Sequence, residues 1–303
     1  MTKKILIIGG TGFIGYHLAS QCIKKRWNVT SISSKLPKKS RIVPKIKYII
    51  CDIANKNLLK KKVNKPFDYV VNLGGYVDHS NKKKTYNSHF IGCKNLTEIF
   101  LKKKIKVFLQ MGSSVEYGFN KSPHSEKMVC NVAKLNSVYG KSKLKATNYL
   151  LNLFKKKKFP VVILRLYLAY GPNQDINRFI PIIINGCLKN QKFPTSLGNQ
   201  LRDFVHVSDV IKAIFKCFEE NTAIGEIINI GSGKPRTLKQ IILSIRKSIG
   251  QGKPLFGKVK LRKDEILKLY PSINKAKKKI QWTPKIQFNK GVKDTIYYYK
   301  KNL

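Results

Sequence analysis

Three residues near the middle of the chain have the types and spacing of a proton-transfer site. Tyr139 and Lys143 stand four apart in Tyr139-Gly140-Lys141-Ser142-Lys143, which opens a helical pattern, so both lie on one helix face. A lysine ammonium held beside a phenol favours the phenolate, which makes the phenol a usable acid or base near neutral pH. Ser113 lies in Met111-Gly112-Ser113-Ser114-Val115-Glu116-Tyr117-Gly118, just past an apolar run. Its hydroxyl suits a second hydrogen bond to a substrate hydroxyl or carbonyl oxygen. A Tyr-x-x-x-Lys pair alone is a common accident. A glycine loop upstream, and a serine pair following a strand, raise it above accident.

That loop is at the start of the chain. The apolar run Ile5 to Ile8 ends in Gly9-Gly10-Thr11-Gly12-Phe13-Ile14-Gly15, and a helical pattern follows. Strand, tight turn and helix N-terminus form a phosphate cradle, because absent side chains let an anion reach free backbone N–H groups. Gly9, Thr11, Gly12, Phe13, Ile14 and Gly15 are therefore expected cofactor contacts. Five further strand signals follow, at Trp27–Ser33, Lys47–Asp52, Asp68–Gly75, Lys106–Gly112 and Pro160–Arg165. Helical patterns lie between them, notably Tyr86–Lys104 and Ser137–Lys157. Such alternation predicts an α/β fold with a doubly wound parallel sheet, whose ligands bind beyond the carboxyl ends of the strands. Residues just past the strands, including Asp52, Ile53, Leu73 and Gly74, should complete the cofactor cleft with Tyr139 and Lys143. Asp52 suits either the adenine amino group or a turn cap.

The end of the second strand bears on cofactor choice. A carboxylate there would bind the ribose 2′-hydroxyl of NAD and repel the 2′-phosphate of NADP. The chain instead has Ser33-Ser34-Lys35, with Lys38, Lys39 and Arg41 nearby. NADP(H) is the expected cofactor, with NAD(H) the alternative.

The formal net charge of +46 is extreme and raises the question of a polyanionic partner. The charge is mostly lysine, in short runs where helices should end, and no aromatic-and-arginine cluster accompanies it. A nucleic-acid partner is accordingly not expected. The six cysteines are scattered without a C-x-x-C pair, and His79, His124 and His206 show no metal spacing. A reducing cytoplasm is expected, with no metal site and no disulfide framework. No signal peptide or bilayer-length apolar run is evident, so membrane insertion is not expected.

The glycine loop, the Ser113–Gly118 segment and Tyr139–Lys143 resemble, in order and spacing, the extended short-chain dehydrogenase/reductases. Within them the chain is similar to the nucleotide-sugar epimerase/dehydratase branch. The resemblance continues through Arg165–Pro172, Leu201–Val210, Asn229–Gly233 and Ile280–Pro284, and so covers nearly the whole chain. It implies a Rossmann-like dinucleotide-binding domain over residues 1–166. A smaller C-terminal lobe over 167–303 would bind a nucleoside-diphosphate sugar, with residues about 203–235 returning to the first domain. It implies a catalytic triad of Ser113, Tyr139 and Lys143, a diphosphate clamp of Arg202 and Arg262, and a homodimer. Ser114, Tyr170 and Phe179 are the other expected substrate contacts. The bland alternatives for the arginines are surface ion pairs, Arg202 with Asp203 and Arg262 with Glu265.

Departures from the family pattern narrow the reaction. The 4,6-dehydratases carry an Asp-Glu pair where this chain has Ser114 and Val115, so dehydration is disfavoured. Leu168 replaces a usual asparagine, and His89, at another usual asparagine, reads as a structural helix residue. Two activities at C4 of the sugar remain. The expected one is reduction of a 4-keto-6-deoxy sugar by NADPH with Tyr139 as proton donor. The alternative is a 4-epimerase with bound NAD. A non-catalytic RNA-binding relative is a remote third, since that reading predicts a decayed triad.

Overall fold

The structure, a computed structural model, describes residues 2–76, 78, 80–261 and 265–302. Its first half alternates as the sequence predicts. The elements are β1 Lys4–Ile8, α1 Phe13–Lys24, β2 Asn28–Ser33, β3 Lys47–Ile50, α2 Lys56–Lys62, β4 Tyr69–Asn72, α3 Lys82–Tyr86, α4 Gly92–Phe100, β5 Val107–Ser113, α5 Val138–Lys157 and β6 Val161–Leu166. The second half has β7 Leu168–Tyr170, α6 Phe179–Leu188, β8 Lys192–Pro194, β9 Leu201–Arg202, β10 Phe204–His206, α7 Val207–Glu219, β11 Ile227–Ile230, β12 Arg236–Thr237, α8 Leu238–Ile249, β13 Lys253–Leu255, β14 Lys268–Leu269, α9 Asn274–Ile280 and α10 Phe288–Lys301.

Seven strands form one parallel sheet in the order β11-β6-β5-β4-β1-β2-β3. This is the Rossmann-like doubly wound arrangement, and the order reverses between β1 and β4, where such folds bind ligands. Central strands covered on both faces read as continuous apolar runs, as β1, β4 and β6 do. Alternate side chains feed two cores. Ile5 and Ile7 join Leu18 of α1 with Val210 and Ile214 of α7. Leu6 and Ile8 join Leu96 and Phe100 of α4 with Leu150 of α5. A third core, of Ile180, Ile184, Ile241, Ile245, Val292 and Tyr299, holds α6, α8 and α10 together as the C-terminal lobe. The remaining strands are short: β7 pairs with β10, β8 with β13, and β9 lies between β12 and β14.

Several boundaries differ from expectation. The second strand begins at Asn28 rather than Trp27, and the third ends at Ile50, before Asp52. The helix expected over Tyr86–Lys104 begins earlier, because Asn81 caps α3 by accepting from Lys84 N–H at 2.9 Å. Residues Asn87–Ile91 then form a π-helical turn, and α4 ends at Phe100. By contrast α5 runs to Lys157 from its N-cap Ser137, which accepts from Gly140 N–H at 3.0 Å. Within residues 203–235, β11 lies beside β6 in the sheet and α7 packs against α1. A segment expected in the lobe also joins this domain: Ala276, Ile280 and Trp282 sit in the first core, and Trp282 Nε1–H donates to the Asp209 carbonyl at 3.0 Å.

Candidate active site

The glycine loop joins β1 to α1 against the end of β4. Gly9 has a φ of +78°, and a Cβ there would come within 3.0 Å of the Leu73 backbone. At Gly15 a Cβ would lie 2.2 Å from the Gly9 carbonyl oxygen, so only glycine lets α1 pack into the turn. Gly12 is the N-cap of α1 and offers no side-chain cap, and the first turn has no acidic residue. The leading N–H groups of Phe13, Ile14 and Gly15 thus have no capping side chain, which suits a pyrophosphate. Asn72 accepts from Gly74 N–H at 3.1 Å and donates to Gln110 at 2.8 Å, fixing Leu73 and Gly74 beside the loop. Loop and strand ends therefore fit a dinucleotide.

Ser113 ends β5, while Tyr139 and Lys143 lie on α5, which packs along that strand. Lys143 is buried and its Nζ donates to the Met111 carbonyl at 2.6 Å. This holds the ammonium 5.9 Å from the Tyr139 ring centre, between the ring and the strand carrying Ser113. Ser113 Oγ accepts from Val115 N–H at 3.4 Å and thereby opens the short helical turn Ser114–Tyr117. Ser114 is buried in that turn. His89, expected as a structural helix residue, proves to be a neighbour of Tyr139. The ring of His89, on the π-helical turn, meets the Tyr139 ring edge-on at 4.9 Å and 70°. Gly75 makes room for it, since a Cβ there would fall 1.9 Å from His89 Cε1. The available signal was a large ring placed one residue before a phenylalanine on the helix that faces α5.

At the end of β2, Ser33 is buried and its hydroxyl accepts from Thr11 N–H at 3.4 Å, joining strand and glycine loop. Ser34 and Lys35 are exposed. Lys39 is exposed as well, while Lys38 and Arg41 are engaged elsewhere. Lys38 reaches Asp175 at 2.7 Å, and buried Arg41 pairs with Asp175 at 3.2 Å and donates twice to the Asn173 carbonyl, at 2.7 and 3.2 Å. Burial opposes the charge of Asp175, yet the two cations outweigh it and hold the carboxyl below its ordinary range. Asp52 caps its own turn through Ala54 N–H at 2.9 Å. Ile53 is buried behind Gly74 and Gly92.

The expected substrate residues divide. Arg202 Nη2 bonds Glu265, and Nη1 donates to the carbonyls of Leu201 at 2.9 Å and Leu267 at 3.3 Å. Burial pulls its guanidinium below the ordinary value, against the Glu265 charge. Asp203 is not its partner: that carboxylate is fully buried and accepts from the Ser232 hydroxyl at 2.9 Å and the Ser232 N–H. Arg202 also borders a cleft of about 350 Å³ with Phe204, Lys234, Arg236, Lys285 and Phe288, and the described lining has no carboxylate. Phe179 is half-buried against Phe204, 5.8 Å between ring centres. Tyr170 is a correction. It lies in the lobe core, 1 % exposed, with its hydroxyl donating to the Phe288 carbonyl at 3.2 Å, so its ring supports the lobe instead of facing a ligand. Arg262, like His79, lies outside the described residues.

A protein of Methanocaldococcus jannaschii, provisionally named a UDP-glucose 4-epimerase, is 30% identical over 98% of this chain and 99% of its own length. The UDP-glucose 4-epimerase of Thermotoga maritima, solved with UDP-glucose, superposes with a TM-score of 0.92 at 24% identity, covering 99% of each chain. A UDP-glucuronic acid 4-epimerase variant from Bacillus cereus, solved with a fluorinated UDP-sugar and NAD, gives a TM-score of 0.89 at 25% identity over 99% of this chain and 100% of the other. Among the described residues no helix is long and apolar enough to cross a membrane. The sequence profile described as the NAD dependent epimerase/dehydratase family matches residues 5–231, and the chain belongs to that family.

Proposed function

We propose that the protein is a nucleotide-sugar 4-epimerase that retains NAD and acts on a UDP-hexose. The observation that carries this over the 4-ketoreductase reading is the fate of the cations beyond β2. Buried Arg41 is held by Asp175 and the Asn173 carbonyl and Lys38 reaches the same carboxylate, which draws two of the four cations there away from a 2′-phosphate and leaves exposed Lys35 and Lys39. The three similar proteins described above support the same choice, since each is named a 4-epimerase and one was solved with NAD. Of the two activities expected from sequence, the second is therefore adopted.

The loop of Gly9, Gly12 and Gly15, with Ser33, Leu73 and Gly74, would hold the dinucleotide. A nicotinamide bound there would supply hydride acceptance and return. Tyr139 takes the proton of the C4 hydroxyl and returns one to the 4-keto oxygen after the sugar turns its other face. Lys143, anchored on the Met111 carbonyl, places positive charge beside the phenol and favours its ionised form during transfer. Ser113 holds the C4 oxygen. Arg202 and the cationic cleft beside it favour the diphosphate. Ser114 and Val115 provide no acid or base for eliminating water, which removes dehydration.

Heat-denaturing the purified protein and chromatographing the released nucleotide tests the cofactor. Incubation with UDP-glucose, without added reductant, tests the reaction. NAD in the extract and formation of the C4 epimer are expected. Consumption of NADPH with a nucleotide 4-keto-6-deoxyhexose, and no UDP-hexose interconversion, would overturn the reading in favour of the reductase.

A further inference from the structure

We propose that Glu116 is a positioning residue for this reaction: its buried carboxylate locks Ser113 to the helix that carries Tyr139 and Lys143. The inference rests on Ser113 holding the substrate oxygen, as proposed above. Glu116 is 0 % exposed and each oxygen is engaged. Oε1 accepts from Ser113 N–H at 2.8 Å. Oε2 accepts from the Thr147 hydroxyl at 2.8 Å and from Arg165 Nε at 2.9 Å. Ser113 ends β5, Thr147 lies one helical turn beyond Lys143 on α5, and Arg165 is on β6. One side chain thus joins the two elements that supply the triad and braces both on a third.

The carboxylate is not itself an acid or base for the sugar. It is sealed from solvent, and its three donors, one of them a guanidinium, hold it facing inward. Nor is stability a sufficient reason for it. A buried ion pair gains little over well-packed apolar side chains, because desolvating two charges offsets their attraction. What the pair supplies, and an apolar pair would not, is direction. Ser113 N–H, the Thr147 hydroxyl and the Arg165 guanidinium must each point at the carboxylate. The brace is rigid at its far end too. The Arg165 guanidinium lies 4.5 Å from the centre of the Tyr117 ring, and the Tyr117 hydroxyl donates to Asn229 on β11 at 2.8 Å. A shift of Ser113 relative to Tyr139 by about 1 Å costs up to about a hundredfold in rate.

A double-mutant cycle on NAD-loaded enzyme, read as UDP-glucose epimerisation, tests the assignment. Glu116→Gln keeps the shape and removes the charge. It should lower kcat about tenfold, leave KM within about twofold, and leave the NAD content per chain unchanged. In a Ser113→Ala background the same substitution should change kcat by less than about twofold, because the group it positions is gone. Thr147→Val removes one donor to the carboxylate and should cost about threefold in kcat, with Thr147→Ser restoring it. These Thr147 variants decide the matter if Glu116→Gln does not fold. An equal loss in both backgrounds assigns Glu116 and Thr147 a general structural role and overturns the proposal, as does an unchanged kcat. If Ser113→Ala alone is harmless, the triad reading falls and this one with it. If Ser113→Ala is damaging and the Glu116 and Thr147 variants are not, the positioning role alone falls.

Discussion

The two ends of the candidate site are built on different principles. At the chemical end, Ser113 ends a seven-residue buried strand, and Tyr139 and Lys143 sit on a 20-residue helix capped at both ends. Lys143 is tied to Met111 and Glu116 to Ser113, so the reacting groups are fixed by long regular elements and by bonds between them. At the gripping end, Arg202 lies on a two-residue strand flanked by two more of the same length, and its charge is held by Glu265 from a loop. The contrast separates rate from affinity. On the proposed function, the rigid corner would set the geometry of proton transfer. The lobe of short strands and ion pairs would then set which ligand is held and how tightly.

The largest effect should come from the rigid end. Tyr139→Phe removes the proton carrier and leaves the ring against His89, so kcat should fall about 10²–10⁴-fold with KM and bound NAD nearly unchanged. Steady-state epimerisation rates and the nucleotide content of the variant measure this. Near-full activity would rule out the phenol as the acid and base. At the other end, Arg202→Ala should do the reverse. Losing a charged contact to the diphosphate should raise KM about tenfold or more, with kcat within about threefold. A variant that loses kcat and keeps KM would erase the division between the two ends.

The same division governs what could be read from the sequence. The glycine loop, the apolar strands and the four-residue spacing of Tyr139 and Lys143 are local patterns, and each became the element it predicted. Glu265 lies 63 residues from Arg202, and Arg165 lies 49 from Glu116. No periodicity announces a partner at such distances, which the topology alone creates. Arg41 and Lys38 seemed fit for a phosphate because they follow β2, yet Asp175, on the far side of the chain, claims both. Tyr170 was among the expected substrate contacts. The third core, invisible until α6 and α10 pack together, took it instead. Ala276, Ile280 and Trp282 did carry a usable signal, since apolar residues at helical spacing beside a tryptophan mark a buried face.

The last effect, read on stability instead of rate, belongs to the junction between the ends. His206 joins β10 of the lobe to α7 of the sheet domain, and its ring meets Tyr170 edge-on at 5.4 Å. Its Nδ1 accepts from Ser208 N–H at 3.3 Å, capping α7, which requires that nitrogen to be unprotonated. Burial pushes the imidazole down to about 4, against the opposing pull of Asp209 and Asp294. The folded chain thus prefers neutral His206, while the unfolded chain titrates near the ordinary 6.5. The stability this contributes is full above about pH 6.5 and is lost as pH falls toward about 4, up to an amount on the order of 3 kcal/mol. His17 and His124 are also lowered by burial and slope the same way, so the measurement must be a difference. His206→Asn keeps a capping acceptor and removes the titration. Its melting temperature should fall less than the wild type's between pH 6.5 and pH 4, by a few degrees. Parallel curves would show that the junction does not sense pH, and that the acid limit of the fold lies elsewhere.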